Sequence, residues 1–383
     1  MLSDYRLLVL LAAGSLTTMA GGIIAPILPE MIQQLHLDPQ LAGNLVSLHC
    51  LTIAIFSPLL GILADRIGKV RVLIPSLLLF ALCGMAGALM NSLTPLLITR
   101  GFLGAASGGI AAATLGLLSN MYEGKSRTQA LSYATSTIAI AGIAFPVLGG
   151  LVGAINWRFT FLLYGLGIPL ALLISLLCSH KQSNKAADPT NKGVEKQLIQ
   201  VLRNPQIWII LLVIGLTSVT MYSVVIYAPI YLKKTIGAGT ILNGIVLASR
   251  AIGAAAVSAI GAKYIAQTLG KVRAIALGIG LMAIALASIP LLDQILWILL
   301  AAILFGAGFG ITLPNLYDCL ADLAPEKLGS SILAAGTGAG FLGQFLSPIL
   351  LGPVLVFSGM ADVFYAAAGL TVLAGFLLFF LKQ

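Results

Sequence analysis

Gly61-Ile62-Leu63-Ala64-Asp65-Arg66-Ile67-Gly68-Lys69-Val70-Arg71-Val72-Leu73 is a charged island between two long apolar runs, and its centre returns 202 residues later as Gly270-Lys271-Val272-Arg273. The same offset carries Gly104 onto Gly306, Gly108 onto Gly310, Lys125 onto Lys327, Pro146 onto Pro348 and Gly150 onto Gly352. In a chain this rich in Gly, Ala and Leu one match means little. Four consecutive identities in a charged loop, with these punctuators in register, mark a duplication. Parallel repeats related by an axis along the membrane normal are an architecture of two-half transporters.

Composition agrees with a membrane setting. With 59% hydrophobic and 9% charged residues, against the roughly 25% charged of soluble domains, the chain lacks the polar residues to cover a water-facing surface. About 20 apolar residues span the hydrocarbon as a helix. Twelve such segments are expected, at 6–30, 40–64, 71–92, 94–120, 127–153, 158–178, 206–234, 238–262, 272–292, 294–320, 328–358 and 361–381. Residues 1–178 then form one six-helix bundle and 206–383 another. The polar stretch 179–205 reads as a cytoplasmic linker whose part from Val194 to Arg203 suits a short surface helix. The first segment is too long for a signal h-region and has no small-residue cleavage site after it, so it is kept as a spanning helix.

The formal charge of +9 follows topology. With a cytoplasmic N-terminus, sixteen Lys and Arg fall on the inner side, and only Arg158, Lys233 and Lys234 fall outside. This is the positive-inside pattern, so both termini are expected in the cytoplasm, and nucleic acid is not needed to explain the charge. Cys50, Cys83, Cys178 and Cys319 lie within or at the ends of helices without metal-type pairing, so neither a disulfide framework nor a metal site is implied.

The loop from Gly61 to Leu73 resembles the signature loop of the major facilitator superfamily, G-x-L-a-D-r-x-G-r-k-x-x-l. The resemblance implies an all-α membrane protein with twelve transmembrane helices in two six-helix bundles, related as a pseudo-twofold parallel repeat. It also implies a cytoplasmic gating loop of Gly61, Asp65, Arg66, Gly68, Lys69 and Arg71, whose charges hold one conformation shut. A carboxylate at a helix end beside Arg66 and Lys69 is suited to this, although the same charges also suit a simple interfacial turn. The second copy keeps Gly270, Lys271 and Arg273 but has Gln267 where the first has Asp65.

Two further elements resemble the drug:proton antiporters of that superfamily. Arg100-Gly101-Phe102-Leu103-Gly104 matches R-x-x-x-G, in which the resemblance links the buried Arg to proton transfer. Gly142-Ile143-Ala144-Phe145-Pro146-Val147-Leu148-Gly149-Gly150 is close to g-x-x-x-G-P-x-x-G-G, with Phe145 in place of the Gly before the proline. Gly142, Pro146, Gly149 and Gly150 keep a bend and close packing available. The first helix ends Ala25-Pro26-Ile27-Leu28-Pro29 as in that branch. The acid often found upstream is absent from Thr17 to Gly22, so a cationic-drug site of that design is not expected.

Ionisable groups within the membrane cost on the order of 2.5–3.5 kcal/mol each on insertion scales and need a partner or a wet cavity. His49, Arg100, Arg250 and Asp318 qualify. Aligning Gly43 with Gly244 sets His49 and Arg250 at nearly equivalent places in the repeats. Arg250 is the foremost substrate-site candidate, its competing reading being an ion pair with Asp318. His49 is either a cavity group and proton carrier or an interhelical hydrogen-bonding residue. Arg100 and Asp318 are further proton-coupling candidates. Asn44, Tyr222, Tyr227, Asn315, Tyr317 and Gln344 offer an apolar body with a polar handle to an amphipathic ligand, or hydrogen bonds between helices. The Gly104/Gly108, Gly306/Gly310 and Gly336/Gly340 pairs read as close helix packing.

The leading expectation is a secondary transporter working by alternating access, a proton-coupled exporter of small amphipathic compounds or metabolites. The alternative is an importer or facilitator of a small anionic or neutral metabolite, favoured by Arg100, Arg250 and the missing first-helix acid. A membrane-embedded enzyme or receptor fits least, because His36, His49 and His180 lie in separate segments. No G-x-x-x-x-G-K-[ST] loop is present, so ATP is not the expected energy source. Expected partners are a small-molecule substrate, protons and the lipid bilayer, with no cofactor, for a monomer in a bacterial cytoplasmic (inner) membrane.

Overall fold

The computed structural model describes residues 4–178, 204–323, 325 and 328–380. The linker helix expected at 194–203, most of the linker itself, His180 and several of the inner-side lysines, among them Lys181 and Lys327, lie outside the described residues. Among those described, twelve helices are long and apolar enough to span a membrane. They are α1 (Tyr5–Gln34), α2 (Pro39–Ile67), α3 (Lys69–Leu89), α4 (Leu93–Met121), α5 (Gly124–Ile155), α6 (Trp157–Leu177), α7 (Pro205–Ile236), α8 (Thr240–Leu269), α9 (Lys271–Leu291), α10 (Ile295–Asp322), α11 (Ser331–Phe357) and α12 (Met360–Phe380). The all-α membrane fold is as expected.

Local chemistry sets many of the helix ends. Asp4, Asp38, Asn156 and Asn204 each accept a backbone N–H two residues on, satisfying one orphan donor at a helix start. Pro39 and Pro205 occupy first-turn positions, where a missing N–H costs nothing. The repeated glycine of the charged loops has a backbone reason: Gly68 (φ 107°) and Gly270 (φ 84°) both turn the chain through the left-handed region, which an L side chain resists.

By contact the chain divides into two compact units, Met1–Ala187 with Gly239–Gly244, and Asp188–Ala238 with Ile245–Gln383. The start of α8 is thus grouped with the first unit. In the first unit α4 packs along α2 and α3, and α1 along α5. In the second, α10 packs along α9, and α7 along α11 and α12. Glycines set the closest approaches. A Cβ at Gly104 would collide with the backbone of His49, and one at Gly306 with the backbone of Arg250. This reciprocal fit places His49 and Arg250 at matching positions of the two repeats.

α1 and α8 depart from regular geometry. α1 runs as α-helix to Gly22, tightens into a 3₁₀ turn at Ala25–Ile27 and resumes at Leu28. α8 carries a π-helical segment at Val257–Gly261.

Candidate functional site

The first unit is organised around Arg100, which is 1% exposed although it sits inside an apolar helix. Its Nη1 donates to the Tyr164 hydroxyl at 2.8 Å and to the Ala20 carbonyl at 3.4 Å. The guanidinium carbon also lies 4.9 Å from the Phe161 ring centre and 5.2 Å from that of Tyr164. Aromatic faces stabilise a desolvated cation by about 2 kcal/mol or more, which explains how the charge is tolerated. Nη2 is buried with no hydrogen-bond partner.

The rings are seated by glycines. A Cβ at Gly84 would overlap the Tyr164 ring, and one at Gly87 the Phe161 ring. Phe80 meets Tyr164 edge-on at 5.3 Å, and Trp157 meets Phe161 at 5.9 Å while donating Nε1–H to Gln34. Tyr164 carries no charge to mark it out in the sequence as Arg100 is marked. A better signal was available, because Trp157, Phe161 and Tyr164 stand at i, i+4 and i+7 on α6, opposite Gly84 and Gly87 at i and i+3 on α3.

His49, on α2, is 4% exposed, with Cys50 Sγ 3.5 Å from its Nε2 and Arg100 within electrostatic reach. Asn44 Oδ1 and Ser47 Oγ, on the same helix, are buried without partners. Across α2 and α4 runs an apolar groove of about 410 Å³, bordered among others by Leu48, Thr52, Phe56, Ile98, Phe102 and Ala105.

In the second unit Arg250 and Asp318 do not pair: Asp318 is exposed, and no ion pair joins them. Arg250 is only partly buried, yet its Nε is buried without a partner, and Tyr222 is its electrostatic neighbour. Tyr227 is fully buried with an unpartnered hydroxyl, as is the hydroxyl of Ser347. Asn315 Nδ2 bonds the Ile311 carbonyl of its own helix at 2.8 Å. Tyr317 and Gln344 are half-buried; Tyr317 packs against Gly336, and the Gly pairs act as close-packing sites, except that the space at Gly340 is looser.

At the charged loops the copies differ. Lys69 pairs with Asp65 at 3.2 Å and lays its stem over Gly116, while Arg71 bonds the Ile67 carbonyl and Arg66 is exposed. Lys271 instead pairs with Asp322 at the end of α10. Loss of the acid at Gln267 therefore did not leave the second loop without a carboxylate. The helix α5 element is also built: Gly149 meets the backbone of Ile23, Gly150 meets Thr240, and Thr240 Oγ1 donates to the Gly150 carbonyl at 2.8 Å. Phe145 is accommodated beside Gly22, so the glycine missing at 145 has a counterpart on α1. Gly142 meets nothing.

Among the described residues, no group of three or more His, Cys, Asp or Glu is placed to hold a metal. Among the described residues the groups on offer are buried cations, hydroxyls and amides in apolar surroundings.

The sequence model described as Major Facilitator Superfamily matches residues 10–348. Among curated proteins, the chain is 25% identical to YwfA of Bacillus subtilis (strain 168), an uncharacterized MFS-type transporter, over 93% of this chain and 86% of that protein. It is 25% identical to the quinolone resistance protein NorA of Staphylococcus aureus (strain MRSA252), over 94% and 92%. With the class E tetracycline resistance protein of Escherichia coli it shares 25% identity over 88% and 84%. Among solved structures, a bacterial homologue of the human lysosomal transporter Spinster superposes with a TM-score of 0.83 at 15% identity, over 99% of this chain and 96% of that one.

Proposed function

Since the chain belongs to the major facilitator superfamily, and so is a multi-pass membrane transporter of small molecules and not an enzyme, we propose that it is a proton-coupled exporter of small amphipathic compounds. The observation that carries this reading is the α5 element. Pro146, Gly149 and Gly150 resemble the antiporter pattern, and here they form a surface on which backbone meets backbone, at Ile23 and at Thr240. Two relatives named for quinolone and tetracycline resistance make these drugs the first probes. The distribution of Lys and Arg supports cytoplasmic termini, and the bacterial relatives support a bacterial inner membrane as the setting.

The purified protein in proteoliposomes, loaded with tetracycline or a quinolone, should move the drug against an imposed proton gradient. Flux indifferent to that gradient would overturn the antiport reading and support a facilitator. One observation favours the second reading, import or facilitated passage of an anionic metabolite: Arg250 is partly exposed and its Nε lacks a partner.

A further inference from the structure

We propose that Tyr164 is a positioning residue for transport, whose hydroxyl, oriented by Arg100, holds the backbone of α1 at its break. The proposal rests on the transporter reading for its consequence and on geometry for its substance.

The interruption of α1 leaves a carbonyl in need. Ile24 N–H bonds the Gly21 carbonyl three residues back, at 3.2 Å, so the Ala20 carbonyl loses the donor that a continuous helix would supply four residues on. An unsatisfied carbonyl in an apolar interior costs several kcal/mol in the membrane. Tyr164 Oη–H fills that place at 2.8 Å, with Arg100 Nη1 adding a longer bond at 3.4 Å. Arg100 Nη1 also donates to the phenol oxygen, which leaves the phenol proton to point at α1.

The seat of the phenol is as specific as its bonds. Residue 84 must be glycine for the ring to enter, and Phe80 closes one side edge-on. Gly149 of α5 packs on Ile23 at the same break, so the segment from Met19 to Ile24 is held from α4, α5 and α6 together. The second unit lacks this device. The repeat places Ala302 opposite Arg100 and Ala366 opposite Tyr164, and α7 runs as unbroken α-helix through Pro229.

The test uses full-length protein in nanodiscs and proteoliposomes, with Tyr164→Phe, which keeps the ring, and Phe80→Leu, which keeps the hydroxyl. Hydrogen exchange by mass spectrometry should show amides of residues 19–25 exchanging about tenfold faster in Tyr164→Phe, with α3 and α4 unchanged, as expected for loss of one well-formed bond at a local opening. Phe80→Leu should leave that segment protected. In tetracycline counterflow, which needs no proton gradient, Tyr164→Phe should lower the rate in the same proportion as in gradient-driven transport, with the pH profile unmoved. Unchanged exchange at 19–25, or faster exchange throughout the first unit, would overturn the proposal. So would loss of gradient-driven transport alone, which would make the pair a proton carrier. If the wild type moves no tetracycline, that probe falls as a substrate, and the exchange comparison decides Tyr164 by itself.

Discussion

Arg100 and Arg250 both lie inside apolar helices, yet the two halves hold them differently. Arg100 is enclosed by two aromatic faces and bonded to a phenol and a backbone carbonyl. Arg250 stands at the position matching His49, only partly buried, with no ion pair and its Nε unpartnered. Each guanidinium keeps one buried nitrogen without a partner, Nη2 of Arg100 and Nε of Arg250, but only Arg100 is bonded to the backbone of another helix and enclosed, while Arg250 is partly open. Buried donors without partners in native structures ask for an explanation by water or ligand. Arg250, the more exposed of the two, is the one proposed to meet a solute.

The largest effect should follow from removing that unmet donor. Arg250→Ala should reduce tetracycline transport on the order of 100-fold, the scale for losing a desolvated charged contact, with the protein still folded in the membrane. Arg250→Lys should recover part of the loss. Transport by Arg250→Ala at the wild-type rate would make the contrast between the two arginines purely structural.

The cytoplasmic loops offer a second contrast with a smaller expected effect. Asp65 and Lys69 belong to one turn, four residues apart, whereas Lys271 reaches from the start of α9 to Asp322 at the end of α10. The first pair spans the Gly68 turn between the end of α2 and the start of α3, while the second joins the start of α9 to the far end of α10. Exposed pairs contribute roughly 0–1 kcal/mol, so Asp65→Asn and Asp322→Asn should each slow turnover about threefold with substrate affinity unchanged. Exchanging the second pair, Lys271→Asp with Asp322→Lys, should restore the rate. A parallel loss of affinity in Asp65→Asn would count against a gating role for the first loop.

These contrasts also show where sequence reading reaches its limit. Apolar run lengths carried the twelve spans, and setting Gly43 against Gly244 carried the matching of His49 with Arg250, because hydropathy and glycine spacing are local signals. The Arg100 site was only half legible. Arg100 stands out as a charge in an apolar run, but Tyr164 lies 64 residues away, and its hydroxyl matters because α1 breaks at Ala20. Asp322 was missed for the same reason: the acid lost from the loop at Gln267 is supplied from another helix, 51 residues beyond Lys271. The proposed Arg250–Asp318 pair rested on charge alone and ignored that Asp318 faces outward.

The helix starts give the finest contrast. Asp4 caps α1 and Asn204 caps α7 by the same bond to the N–H two residues on. A carboxylate has a second acceptor oxygen, and Asp4 Oδ2 takes the Tyr122 hydroxyl at the end of α4, at 2.7 Å. Burial first, then the hydrogen bond to Asp4 and its charge, push the Tyr122 phenol up from 10.0 to about 12. A phenol whose folded value is raised stabilises the fold fully below its unfolded value and loses that contribution as pH climbs through the folded one, here between 10.0 and about 12. Tyr122→Phe should therefore cost about 0.5 kcal/mol at pH 8, the low end for a partly exposed hydrogen bond. The gap between wild type and variant, read as denaturation midpoints in detergent, should shrink towards zero by pH 12. A gap that persists through that range would mean that Tyr122 contributes packing and not its bond to Asp4, and the two helix starts would then be equivalent after all.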